Sequence, residues 1–206
     1  MGATTLPGEK AARIVAAMRS SVAQRGAAGS TFDHVAREAG VSRGLLHYYF
    51  GSKEQLLIEV VRHDCEVRMA VLDEQLSDAR SADDFLHRLI LSLEELVRDE
   101  PEFFTVVFEL FTISRRNEDV AAEFAELMRR TREHVAGLLA AKQADGVLSL
   151  AAEPEAIADV LFSLGDGVAM RMLAEPGRDW SAVIAAGAAA TRPLLSVERP
   201  AADKHP

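Results

Sequence analysis

In the segment GVSRGLLHYYFGSKEQL, Gly40 to Leu56, two cations, Arg43 and Lys53, bracket a histidine and three aromatic rings, His47 to Phe50. A buried strand would accommodate the rings but strip the cations of water. A surface that meets phosphates and base edges uses both. An arginine fork can take the two acceptors of guanine, Leu45 offers apolar contact suited to a thymine methyl, and His47 and Tyr48 present donors to bases or phosphates. Lys53 and the first amides of the helix beginning there stand where a phosphate would be held. The chemistry on offer is recognition of a nucleic acid by hydrogen bonds and charge, provided that the neighbouring elements turn this face outward.

Those elements are helical. Apolar residues recur at three- and four-residue steps almost throughout, with few alternating β-branched clusters, which predicts an all-α chain of about nine helices. Helix 1 is predicted over 9–24, with Ile14, Val15, Met18 and Val22 on one face and RGAAGS as its glycine-rich end. Thr31 is placed to cap a short helix over 32–39, Gly40 to end it in a left-handed conformation, and Ser42 to cap the next, over 43–49. SKEQ, Ser52 to Gln55, reads as a capping box at the start of a helix reaching about Leu76. Leu57, Val61, Cys65, Met69, Leu72 and Leu76 form one apolar stripe along it. Further helices are predicted over 82–98, 102–115, 119–144, 154–173 and 180–192.

Two short helices joined by a tight Gly40-Val41-Ser42 turn form a helix-turn-helix, in which the second helix enters the major groove and the first crosses the backbone. Ala36 is small enough to let the helices approach, and Val35, Val41 and Leu46 can pin their inner faces. That leaves Arg43, Leu45, His47 and Tyr48 for the outer face.

A net charge of -9 speaks against a nucleic-acid partner until its distribution is considered. Residues 1–55 hold 7 Lys+Arg against 4 Asp+Glu, whereas the remainder holds 16 against 28. The cations therefore sit with the helix-turn-helix. With 206 residues and 49% hydrophobic content the chain can build a sizeable core. Its longest apolar runs, such as AVIAAGAAA, fall short of the roughly 20 residues of a membrane-spanning helix. Nothing resembles an export signal, and the single cysteine, Cys65, fits a reducing compartment, so a cytoplasmic location without a membrane partner is expected.

Enzyme chemistry finds no purchase. His34, His63, His87, His134 and His205 lack metal-ligand spacing, and His63-Asp64-Cys65 runs along one helix, where its side chains cannot converge on a nucleophile. Gly165-Asp166-Gly167 has neither the preceding strand nor the following Lys-Ser/Thr of a phosphate loop. No catalytic residue, metal or cofactor is expected.

Residues 31–56, TFDHVAREAGVSRGLLHYYFGSKEQL, resemble the tetracycline-repressor (TetR) family of bacterial transcription regulators. The match lies in the capping Thr31, Val35-Ala36, Ala39 to Ser42, Gly44, the cluster His47 to Phe50, and Ser52 to Glu54. The resemblance implies a homodimer with an N-terminal DNA-binding unit and a variable C-terminal unit for ligand and dimer contacts, most such proteins repressing transcription until a small molecule binds. By position it implies DNA contact by Thr31, Ser42, Arg43, Gly44, Leu45, His47, Tyr48 and Lys53, with base reading by Arg43, Leu45 and His47 and phosphate contact by Thr31 and Lys53. His47 stands where the family commonly has tyrosine.

The expected partition is 1–55 for DNA, 56–196 for ligand and dimerisation, and 197–206 as a flexible tail. The helices over 154–173 and 180–192 carry a stripe of Ile157, Val160, Leu161, Leu164 and Val168 and an alanine-glycine run at 185–190, which suits close helix approach in a four-helix bundle shared by two subunits. PEFFTVVFELF places Phe103, Phe104, Phe108 and Phe111 around one helix. Core packing accounts for most of them, while the resemblance implies a ligand pocket, for which Phe104, Phe108, Met128 and Phe162 are the candidates and a small hydrophobic or aromatic effector the expectation. The expected function is a ligand-responsive regulator of double-stranded operator DNA, most often a repressor; the alternative is a helical small-molecule carrier whose helix-turn-helix is structural.

Overall fold

A computed structural model describes residues 8–196. Among them are nine α-helices: α1 (Gly8–Gly29), α2 (Phe32–Ala39), α3 (Arg43–Phe50), α4 (Lys53–Ser77), α5 (Ala82–Asp99), α6 (Glu102–Ser114), α7 (Glu118–Ala144), α8 (Pro154–Ala174) and α9 (Ser181–Leu195). No strand occurs among the described residues, and the all-α expectation holds. The predicted tail, 197–206, and His205 with it, lies outside them.

Two units pack separately. One takes the chain up to Arg68 together with Glu100–Arg129; the other takes Met69–Asp99 and the chain from Arg130 onward. Both α4 and α7 contribute residues to each unit. In the first unit Ile14 and Met18 of α1, Val35 of α2, Leu46 of α3, Val61 of α4 and Leu110 of α6 are all fully enclosed. The second unit closes over Leu76, Phe85, Leu139, Ile157 and Leu195.

Three local features depart from sequence expectation, each for a physical reason. The single stripe predicted for α4 is too narrow at its start, where Leu56, Leu57, Ile58, Val60 and Val61 are all buried. A helix enclosed on several sides buries more than one face. The predicted end of helix 1 is a kink instead: Gly26 adopts φ 68°, a left-handed conformation, and helical turns resume to Gly29. The last helix was expected to stop before Pro193, yet α9 continues to Leu195, since proline removes only one backbone donor and little helix follows it. The Ser149 and Ala151 amides donate to the Leu195 and Leu194 carbonyls at 3.0 Å each, which satisfies acceptors at this helix end.

Within the first unit, a buried ion pair joins α1 to α4. Asp64 is 4% exposed, and Arg19 donates to both its oxygens, Nε to Oδ2 at 3.0 Å. Glu100 pairs with Arg68 and lies 4.0 Å from Arg19. Burial raises the Asp64 pKa above its usual value, and the Arg19 bonds oppose that rise. A carboxyl whose pKa is higher folded than unfolded favours folding below its unfolded pKa and loses that contribution as pH rises through its folded pKa. Removing one partner of a buried pair typically costs about 3 kcal/mol or more. Arg19→Ala is therefore expected to lower unfolding stability by about 3 kcal/mol at neutral pH. Because the loss of Arg19 raises the Asp64 pKa further, the deficit should shrink in mild acid; urea unfolding across a pH series measures both.

Candidate nucleic-acid interface

The site is built from three caps and one turn. Thr31 Oγ1 accepts from the His34 amide at 3.3 Å and starts α2. Gly40, at φ 65°, ends it, and the Val41 amide then donates to the Ala36 carbonyl at 2.9 Å, closing the turn. Ser42 Oγ accepts from the Leu45 amide at 3.2 Å and starts α3. The capping box at Ser52 is only half formed: its hydroxyl accepts from the Gln55 amide at 3.0 Å, while its own amide donates to the Phe50 carbonyl at 2.7 Å. The close turn at Gly51 supplies a backbone acceptor in place of the Gln55 side chain.

Packing then sets the facing of α3. Leu46 is wholly buried and Phe50 packs half-buried against the core, with Tyr49 also half-buried. Arg43, Gly44, His47 and Tyr48 are exposed, Tyr48 to 72%. Leu45 differs from expectation: it is half-buried against the core beside Leu46, which leaves only part of the side chain outward. Thr31 and Ser42 are exposed at the starts of α2 and α3.

Sequence reasoning missed four contacts of these residues. Arg43 Nη1 donates to Asp33 Oδ2 at 3.2 Å and Oδ1 at 3.4 Å, and its Nε donates to His47 Nε2 at 3.3 Å. The His47 ring stands edge-on to Phe32, centroids 4.6 Å apart. Lys53 Nζ donates to the Ala27 carbonyl at 2.8 Å, which ties the start of α4 to the segment beyond the α1 kink and leaves two ammonium protons. The Arg43 to His47 contact follows from helical i,i+4 spacing and was legible; the pairs with Asp33 and Ala27 span a turn and a chain reversal and were not.

The phenylalanine candidates separate. Phe104 is 3% exposed and stacks at 6.3 Å on Phe108, which is half-buried like Met128. Phe162 packs half-buried against the core of the second unit. No cluster of metal-ligating side chains occurs among the described residues, and no described helix is long and apolar enough to cross a membrane.

A short helix pinned across its predecessor by a capped turn, with a cationic and aromatic outer face, defines a helix-turn-helix DNA-binding protein. Comparison with known proteins gives the family. Residues 14–60 match the model of bacterial regulatory proteins of the tetR family, and residues 69–193 match that of the BetI-type transcriptional repressor C-terminal part. The chain belongs to the TetR family, with a C-terminal part of BetI type, and is a transcriptional regulator rather than an enzyme. This sets aside the carrier alternative.

Among relatives, the HTH-type transcriptional regulator BetI of Rhizobium meliloti (strain 1021) is 29% identical over 160 residues, covering 76% of this chain and 77% of that protein. A crystal structure of a TetR-family regulator from Rhodococcus sp. aligns with TM-score 0.75 and 26% identity over 92% of this chain and 100% of that one. A Saccharomonospora viridis regulator in complex with choline aligns with TM-score 0.68 and 22% identity over 90% of this chain and 94% of its own, a likeness of fold.

Because L-residues pay about 1–2 kcal/mol for a left-handed conformation, Gly40→Ala is expected to lower stability by about that amount. Space is not the obstacle, as nothing lies within 4 Å of an added Cβ. Urea unfolding of the variant checks it, and an unchanged midpoint contradicts it.

Proposed function

We propose that this regulator is a repressor that leaves a near-palindromic operator when a small effector binds. The observation that carries the DNA-binding part is the outer face of α3, where Arg43, Gly44, His47 and Tyr48 are exposed while Leu46 anchors the helix. In this reading residues 1–55 serve DNA binding and 56–196 serve effector and dimer contacts. Arg43, Leu45 and His47 form the base-facing group, Tyr48 meets base or backbone, and Thr31, Ser42, Gly44 and Lys53 lie along the phosphates. The acidic remainder of the chain repels DNA and confines attraction to this face.

A palindromic operator requires two copies, with their α3 helices about 34 Å, one helical turn of DNA, apart or a multiple of it. The helices α8 and α9 are the proposed interface. Val160 and Leu164 sit one turn apart on α8 at 41% and 40% exposure, while Ile157 and Leu161 of the predicted stripe turn to the core. Ala185, Ala186, Ala189 and Ala190 are exposed on α9, where small side chains permit close helix approach. A hundredfold release from DNA needs an effector preference of about 2.7 kcal/mol for the non-binding geometry.

An effector with an apolar body suits Phe104, Phe108 and Met128; Phe162 is carried forward as a further candidate. A quaternary ammonium is the second reading, because phenylalanine faces attract such cations and a structural neighbour was solved with choline.

Fluorescence anisotropy with duplex DNA from upstream of its own gene tests the regulator. Binding should fall steeply with salt, and Arg43→Ala should weaken it by about 1–3 kcal/mol, roughly fivefold to 150-fold. Salt-independent binding, or full affinity in the variant, contradicts it. Adding choline or a long-chain acyl compound to the complex shows which class releases the DNA. In sedimentation, Leu164→Glu should convert a dimer into a monomer.

A further inference from the structure

Resting on the DNA-binding reading, the geometry points to Asp33 and His47 as the positioning residues that fix the guanidinium of Arg43; we propose that these two set how strictly Arg43 reads its base pair. Arg43 carries the charge and the donors. Its Nη1 bonds to both oxygens of Asp33, on α2, and its Nε donates to His47 Nε2, one turn further along α3. Two anchors on different nitrogens define the plane of a rigid, planar group. Neither donor on Nη2 is engaged by any described residue, so that edge of the guanidinium is the one presented outward.

The His47 contact has a chemical consequence. Accepting from Arg43 Nε uses the Nε2 lone pair, which is available in the tautomer whose proton is on Nδ1. The ring is also held by its T-shaped contact with Phe32, a residue buried at 7% exposure. Nε2 is thereby committed inside the protein. His47 supports Arg43 and does not read a base pair of its own through that atom.

Asp33 is a costly residue to place on a DNA-facing surface, because a carboxylate repels phosphate. Its pair with Arg43 is 59% exposed on both sides, and pairs so exposed contribute little to stability. Its place in the first turn of α2 favours the start of that helix, but this does not require the contact with Arg43. A role in restraining Arg43 does: an untethered arginine reaches neighbouring phosphates, which adds affinity for any sequence, whereas a tethered one meets base acceptors in a fixed orientation. Asp33 on this account exchanges general affinity for selectivity.

The test uses the full-length protein. Rounds of selection from a random-sequence duplex pool give the wild-type consensus, and that duplex with each single base-pair change is the probe. Arg43→Ala should lose preference at one position of each half-site. Asp33→Ala and His47→Ala should blur that same position, reducing its discrimination by about three- to tenfold, and leave the others unchanged. Asp33→Ala should in addition bind random duplex more tightly than wild type does. His47→Gln, whose amide oxygen can accept from Arg43 Nε, should restore discrimination where His47→Ala lost it. Circular dichroism melting of each variant separates these effects from unfolding, and Asp33→Leu, which keeps similar bulk without an acceptor, replaces Asp33→Ala if the latter does not fold. Loss of preference at a different position in His47→Ala, or intact preference in the Asp33 variants, overturns the proposal while the regulator reading stands. A wild type that selects no sequence overturns both.

Discussion

The close approach of α2 and α3 is the constraint on which the DNA-facing surface depends. A left-handed Gly40, the Val41 amide bonded to the Ala36 carbonyl, and the Ser42 cap leave the chain one way to begin α3. Once Leu46 is buried on the inner side, helical geometry obliges Arg43, His47 and Tyr48 to take the outer one. The orientation of the cationic face is therefore a result of packing, and the face itself contributes almost nothing to holding the helix.

The same unit contains polar interactions of two kinds, and burial separates their roles. Asp64 is enclosed and Arg19 half-buried, so their mutual bonds offset the desolvation cost of the carboxylate. Arg43 and Asp33 are in water, where a comparable contact holds an orientation and carries little energy. One pair couples α1 to α4 within the fold. The other arranges donors on its surface. Lys53 lies between these cases, with one proton bonded to the Ala27 carbonyl and the rest of its charge available to an anion.

Charge distribution gives the regulator its direction. The chain is anionic except for a slightly cationic first quarter, which on the proposed reading is the part that meets DNA. The division by packing follows a different line from this division by charge: α6 and the first part of α7 belong with the N-terminal helices, and both α4 and α7 supply residues to each unit. At the start of α4, Leu56, Leu57, Ile58, Val60 and Val61 all enter the core of the first unit, so that stretch buries successive positions.

By itself the sequence determined the helical class, the capped turn, the identity of α3 as the outward helix, and the family, because periodicity, caps and glycine placement are local effects that act over a few residues. The partners of Arg43 and Lys53, the half-burial of Leu45, the Arg19 to Asp64 pair and the packing of Phe162 against the second unit's core were decided by tertiary structure. Each joins residues on different helices, or turns one side of a helix toward a neighbour that its own periodicity does not name. Local chemistry states what a residue can do; only the packed chain brings Asp33 within 3.2 Å of Arg43 and so fixes which of its donors remain for a partner.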